Sequence, residues 1–60
     1  MTRDIVLALT DKFEKNPCSV LGQQLLDAIM LVNFHSPGSF RRQTIQDLQQ
    51  AIQLLKKAEA

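Results

Sequence analysis

The chain has 60 residues, a formal net charge of +1 and a single cysteine. This length suffices for one small domain spanning residues 1–60, and one cysteine excludes an internal disulfide. The near-neutral charge gives no strong attraction to nucleic acid or to an acidic membrane. Because 45% of the residues are apolar, the chain is not expected to be disordered. The composition therefore predicts a small folded protein in the reducing cytoplasm.

The first segment, about residues 3–15, has the spacing of an amphipathic helix. Its apolar residues recur at intervals of three and four, and charged residues occupy the opposite side. The apolar set is Ile5, Val6, Leu9 and Phe13. A short strand over residues 5–9 is the alternative, because Ile and Val favour sheets. A helix is predicted, since no second segment offers itself as a partner strand.

The second segment, about residues 17–33, is the most apolar part of the chain. Asn16 and Pro17 suit a helix start, because Asn can cap a free N–H and Pro fits the first turn. At 100° per residue the helix has two apolar faces. A helix with two such faces needs partners on two sides, either two flanking helices or one helix and another molecule. The first face contains Leu21, Leu25, Ala28, Ile29 and Val32, and the second contains Gly22, Leu26 and Met30.

The third segment, about residues 40–57, follows a turn marked by Pro37 and Gly38. Ser39 is a candidate N-cap. The apolar residues Ile45, Leu48, Ile52 and Leu55 repeat at spacings of three and four, as in a bundle helix. The three segments predict an all-α fold, a small antiparallel three-helix bundle. Its core is expected to join Leu25, Ile29, Leu48 and Ile52.

Chemistry-bearing motifs are absent from the sequence. Cys18 and His35 are separated by the whole second helix, and the six carboxylates are scattered without metal-ligand spacing. No catalytic, cofactor-binding or metal-binding residue is therefore predicted, and the protein is not expected to be an enzyme. The longest apolar run, residues 28–32, is too short to span a membrane, so no membrane association is expected.

Self-association is predicted through one strip of the second helix, formed by Gly22, Leu26 and Met30. So short a chain obtains only about 3–5 kcal/mol from a single core, and oligomerisation commonly adds stability. Gly22 permits a close helix approach, and Met adapts well to binding surfaces. A two-fold homodimer would pair the strip with its own copy. The alternative is that the first helix covers the strip inside a monomer.

A second candidate surface lies at the start and on the outer face of the third helix. Arg41 and Arg42 are candidate contacts for an anion or a partner, because helix N-termini and guanidinium groups both bind anions. The glutamine face continues this surface with Gln46, Gln49 and Gln53.

These features favour a small, non-enzymatic protein–protein interaction or regulatory protein that acts through helical surfaces as a homodimer. The alternative is a nucleic-acid-binding regulator of helix-turn-helix type. It would use Arg41, Arg42 and the glutamine face, since Gln can read adenine.

A short resemblance accompanies this reading. The sequence Leu21-Gly22-Gln23 followed by an apolar helix resembles the small biofilm-connector proteins of enteric bacteria. The resemblance covers a handful of residues and does not extend through the turn. No fold, activity or partner is carried over from it.

Overall fold

In the computed structural model, which describes residues 2–60, the chain forms three helices and, over this range, no strand. The helices are α1 (Thr2–Lys15), α2 (Ser19–His35) and α3 (Arg42–Glu59). The central helix α2 packs on both of the others, whereas the backbones of α1 and α3 do not pack together. The predicted all-α three-helix bundle is confirmed.

Contacts between opposite ends of the helices show that neighbouring helices are antiparallel. Val6, near the start of α1, shares a buried cluster with Val32, near the end of α2. Ser19, the first residue of α2, is hydrogen-bonded to Glu59, the last residue of α3. The short connections between helices make this arrangement the natural one.

The core lies where α2 meets its two neighbours. The buried cluster consists of Val6, Leu25, Ile29 and Val32, with half-buried apolar residues packed around it. Of the expected core residues, Leu25, Ile29 and Ile52 are buried, and Leu48 is half-buried against the cluster. The prediction from helical periodicity was therefore largely correct.

Helix α2 begins at Ser19, two residues later than predicted. The N–H of Asn16 donates to the carbonyl oxygen of Lys12 at 2.9 Å, so Asn16 completes α1 instead of capping α2. Cys18 takes the N-cap position with extended backbone angles and no side-chain cap. The Ser19 N–H instead finds its acceptor in the carboxylate of Glu59, at 2.8 Å.

The other boundary also differs from the prediction by two residues. Helix α2 continues to His35, because Pro37 restricts only the residue before it, and Ser36 is indeed non-helical. The Ser39 hydroxyl donates to the Ser36 carbonyl oxygen at 2.6 Å and does not cap a helix. Arg41 is the N-cap residue of α3, without a side-chain cap.

Candidate interaction surfaces

The strip predicted for self-association lies mostly inside the molecule. Gly22 and Leu26 are buried, and Met30 is about half exposed. A Cβ atom at Gly22 would lie 2.8 Å from Cγ1 of Ile52 and 3.1 Å from Cε1 of Phe13. Side chains from α3 and α1 therefore meet over this glycine, and the close helix approach that Gly22 suggested is present within one chain.

This placement bears on the geometry of self-association, which stays a prediction. Gly22 and Leu26 are buried in their own chain, so little of either residue is accessible to a second copy. The alternative prediction was that the first helix covers the strip inside a monomer. In the structure, side chains of both α1 and α3 cover Gly22. Met30 remains the one accessible member of the strip.

All five residues of the second candidate surface are exposed. Gln49 and Gln53 line a groove of about 440 Å³ between α2 and α3, together with Gln23, Leu26 and Ile52. Arg42 and Gln46 lie on the same side of α3, because spacings of four, three and four residues return to one helix face. Arg41 precedes the helix. The structure thus places four of the five residues on one face beside α2.

The relation of α2 to α3 differs from that of a helix-turn-helix module. In that module two helices cross at about 90–120° after a turn of three or four residues. Here residues 36–41 connect two helices that pack against each other, and Ser19 at the start of α2 is hydrogen-bonded to Glu59 at the end of α3. Helix α3 packs against α2, and the helix-turn-helix alternative stays a prediction.

An apolar surface that the sequence reasoning missed lies on the side of α2 that faces away from both neighbours. Leu31 is 49% and Phe34 79% exposed. The exposed Val20 lies on the same side, because Leu31 and Phe34 follow it by 11 and 14 residues, about three and four helical turns. We call Val20, Met30, Leu31 and Phe34 the outer face of α2. The available signal was that apolar residues of α2 also lie outside the two predicted faces, so two neighbours leave part of them uncovered.

Asp27 supplies the charge at the centre of this surface. It lies seven residues after Val20 and seven before Phe34. The Gln23 side-chain amide donates to the Asp27 carboxylate at 3.0 Å. Helix α2 contains no lysine or arginine. Asp27 and the exposed Gln23 and Gln24 lie between Val20 and the exposed apolar residues nearer the end of the helix.

The remaining reactive side chains do not form a site. Cys18 lies before the first residue of α2, and His35 is its last residue, where its ring meets the Phe34 ring edge-on at 5.4 Å. Across residues 2–60 no three His, Cys, Asp or Glu side chains come together as metal ligands. Over the same range no helix has the length and apolarity needed to cross a bilayer.

The sequence also did not predict a contact between the start of α2 and the end of α3. Glu59 accepts hydrogen bonds from the N–H and the hydroxyl of Ser19. These bonds, chiefly that of the hydroxyl, lower the pKa of the Glu59 carboxyl below its ordinary value. No local pattern could have indicated this pair, because its members are 40 residues apart.

Comparisons with known proteins identify no relative: no family model, no curated protein and no solved structure matches the chain. The resemblance at residues 21–23 therefore rests on those residues alone.

Proposed function

We propose that the chain is a small, non-enzymatic interaction or regulatory protein of the cytoplasm, and that it binds other proteins through the outer face of α2. The observation that carries the proposal is the exposure of Phe34, 79%, beside two further exposed apolar side chains. Contiguous exposed apolar patches mark interaction sites more often than single exposed residues do. Aromatic residues and Met are also enriched where protein interfaces form.

The first partner we propose is a second copy of the chain. In a two-fold dimer the same patch must serve both molecules. Val20 and Phe34 lie at equal distances on either side of Asp27, so an antiparallel pair of α2 helices would set each Val20 against the partner copy's aromatic ring. Met30 belongs both to this surface and to the strip from which self-association was predicted.

Asp27 would oppose this pairing, because its carboxylate would meet its own copy near the two-fold axis. Such repulsion between solvated charges is modest and is screened by salt. The dimer is therefore expected to be weak at low ionic strength and to become tighter when Asp27 is neutralised. This signature distinguishes pairing around Asp27 from dimerisation elsewhere on the molecule.

Sedimentation equilibrium tests the proposal. The double variant Leu31→Lys with Phe34→Lys should be a folded monomer at concentrations where the parent dimerises, because two charges would have to be buried in the interface. Asp27→Asn should lower the dimer dissociation constant. Leu54→Lys is the matched control, since Leu54 on α3 is an apolar residue whose exposure, 62%, lies between those of Leu31 and Phe34. A parent that stays monomeric at millimolar concentration contradicts homodimerisation, and equal effects of the Leu54 variant contradict the choice of face.

The nucleic-acid alternative stays a prediction, and no contact in the structure favours it over the first proposal. A salt titration tests it directly, because binding through phosphate contacts weakens steeply with salt. Binding that also falls in a variant with Arg41→Gln and Arg42→Gln would revive it. Absence of binding at low salt would remove it.

A further inference from the structure

A groove unrelated to the outer face of α2 lies between α1 and the loop that leads into α3. It has a volume of about 420 Å³ and is mainly apolar, within the usual range for small-molecule sites. Its lining consists of Arg3, Val6, Leu7, Thr10, Ser39 and Phe40. Leu7 is 67% exposed and forms the accessible part of the α1 wall.

The loop wall of the groove is held in place by hydrogen bonds. The Asn33 side chain accepts from the N–H of Phe40 at 2.8 Å and donates to its carbonyl oxygen at 3.3 Å. Gly38 adopts a φ of +86°, a conformation that glycine takes without strain. A wall fixed in this way need not be ordered by a ligand, which favours binding.

The two hydroxyl groups of the lining donate hydrogen bonds within the protein, which leaves Arg3 as the remaining polar side chain of the groove. The Thr10 hydroxyl donates to the Val6 carbonyl oxygen at 2.7 Å, and the Ser39 hydroxyl donates to Ser36. Arg3 is the only charged residue in the lining. The salt bridge found within residues 2–60 joins Lys15 to Asp11 and does not involve Arg3. The groove thus offers apolar walls and one charged residue, Arg3.

We propose that this groove binds a free single-chain amphiphile with a carboxylate head. The chain would lie along Leu7 and Phe40, and the carboxylate would pair with Arg3, whose guanidinium accepts a bidentate anion. The nearby start of α1 also favours a negative group, although Asp4 in the same turn reduces this attraction. A concave groove of this volume suits one chain rather than a bilayer surface.

Binding of decanoate, below its micellar concentration, tests the proposal on the full chain. Backbone amide NMR shifts should locate binding at Leu7 and Phe40. Decyltrimethylammonium, with the same chain and a positive head, should bind about tenfold more weakly, the effect of one charge-assisted contact. Equal binding of the two amphiphiles would overturn the role of Arg3. Shifts confined to other helices would overturn the site.

Variants separate the groove from general stickiness of α1. Arg3→Gln should weaken decanoate binding about tenfold and leave decyltrimethylammonium binding unchanged. Leu7→Ser should weaken both. Ile5→Ser is the matched control, because Ile5 is 54% exposed on α1 but does not line the groove. An equal loss in the Ile5 variant would overturn the proposal.

Two further experiments distinguish a free amphiphile from a lipid surface, and the groove from the proposed dimer interface. Stronger binding to phosphatidylglycerol vesicles than to monomeric decanoate would overturn the proposal, because it would assign Arg3 to a lipid surface. The variant with Leu31→Lys and Phe34→Lys should bind decanoate normally. Loss of binding in that variant would instead assign the amphiphile to the outer face of α2.

Discussion

At the scale of single residues, Gly22 shows how one position joins all three helices. Glycine inside a helix is unfavourable by about 1 kcal/mol relative to alanine. Here the missing side chain makes room for Ile52 and Phe13. The local disadvantage is offset by the packing that this space allows.

Gly22→Ala is expected to destabilise the protein despite the better helix propensity of alanine. The new methyl group would lie 2.8 Å from a mid-chain carbon of Ile52, and overpacking of a core costs about 1–3 kcal/mol. The propensity gain of about 1 kcal/mol offsets only part of this. Urea denaturation provides the measurement, with Gln24→Ala on the exposed side of α2 as control. A Gly22 variant more stable than the parent would show that the helices can separate at little cost.

At the scale of elements, the contact of Ser19 with Glu59 joins the start of α2 to the end of α3. The first N–H groups of a helix lack intrahelical acceptors, and the Cys18 side chain supplies none. The Glu59 carboxylate satisfies one of these groups and adds a negative charge near the positive end of α2. One side chain thereby caps a helix and holds two elements in register.

This contact predicts a pH-dependent stability. Because folding lowers the pKa of Glu59, its contribution is present above the unfolded pKa of about 4.5 and is lost as the pH falls through the lower folded value. Glu59→Gln should therefore lower Tm at pH 7, and the difference from the parent should shrink below that range. Thermal melts followed by circular dichroism measure it. Glu14→Gln, which removes the same charge from α1, is the control; a pH-independent deficit in the Glu59 variant would contradict the linkage.

At the scale of the whole molecule, a small core is shared between two helix interfaces. Among the residues that the structure describes, six apolar residues are buried, and four of them belong to α2. The stability of so small a core rarely exceeds about 3–5 kcal/mol. Loss of one central side chain should therefore affect the entire fold.

Ile29→Ala is expected to unfold a large share of the molecules. Ile29 is buried within the main cluster, and such truncations cost about 2–5 kcal/mol, comparable to the total. Circular dichroism and urea denaturation measure the loss. Leu31→Ala, two residues further and exposed, should leave the monomer's stability nearly unchanged. If Ile29→Ala melts like the parent, the core assignment is wrong.

A Tm that rises with concentration in the parent would show that self-association contributes to stability.

The amino-acid sequence by itself determined that this chain forms three helices and which residues form the main apolar face of each, because the 3.6-residue period is a local property of the pattern. It identified Leu25, Ile29 and Ile52 as core and Gly22 as a place of close approach. The tertiary structure alone decided that Leu26 is covered while Phe34 is left open, since an apolar helix does not specify which side its neighbours occupy. It also decided the start of α2, because the acceptor at Ser19 comes from Glu59, 40 residues away, and hydrogen bonds over such separations leave no periodic signal.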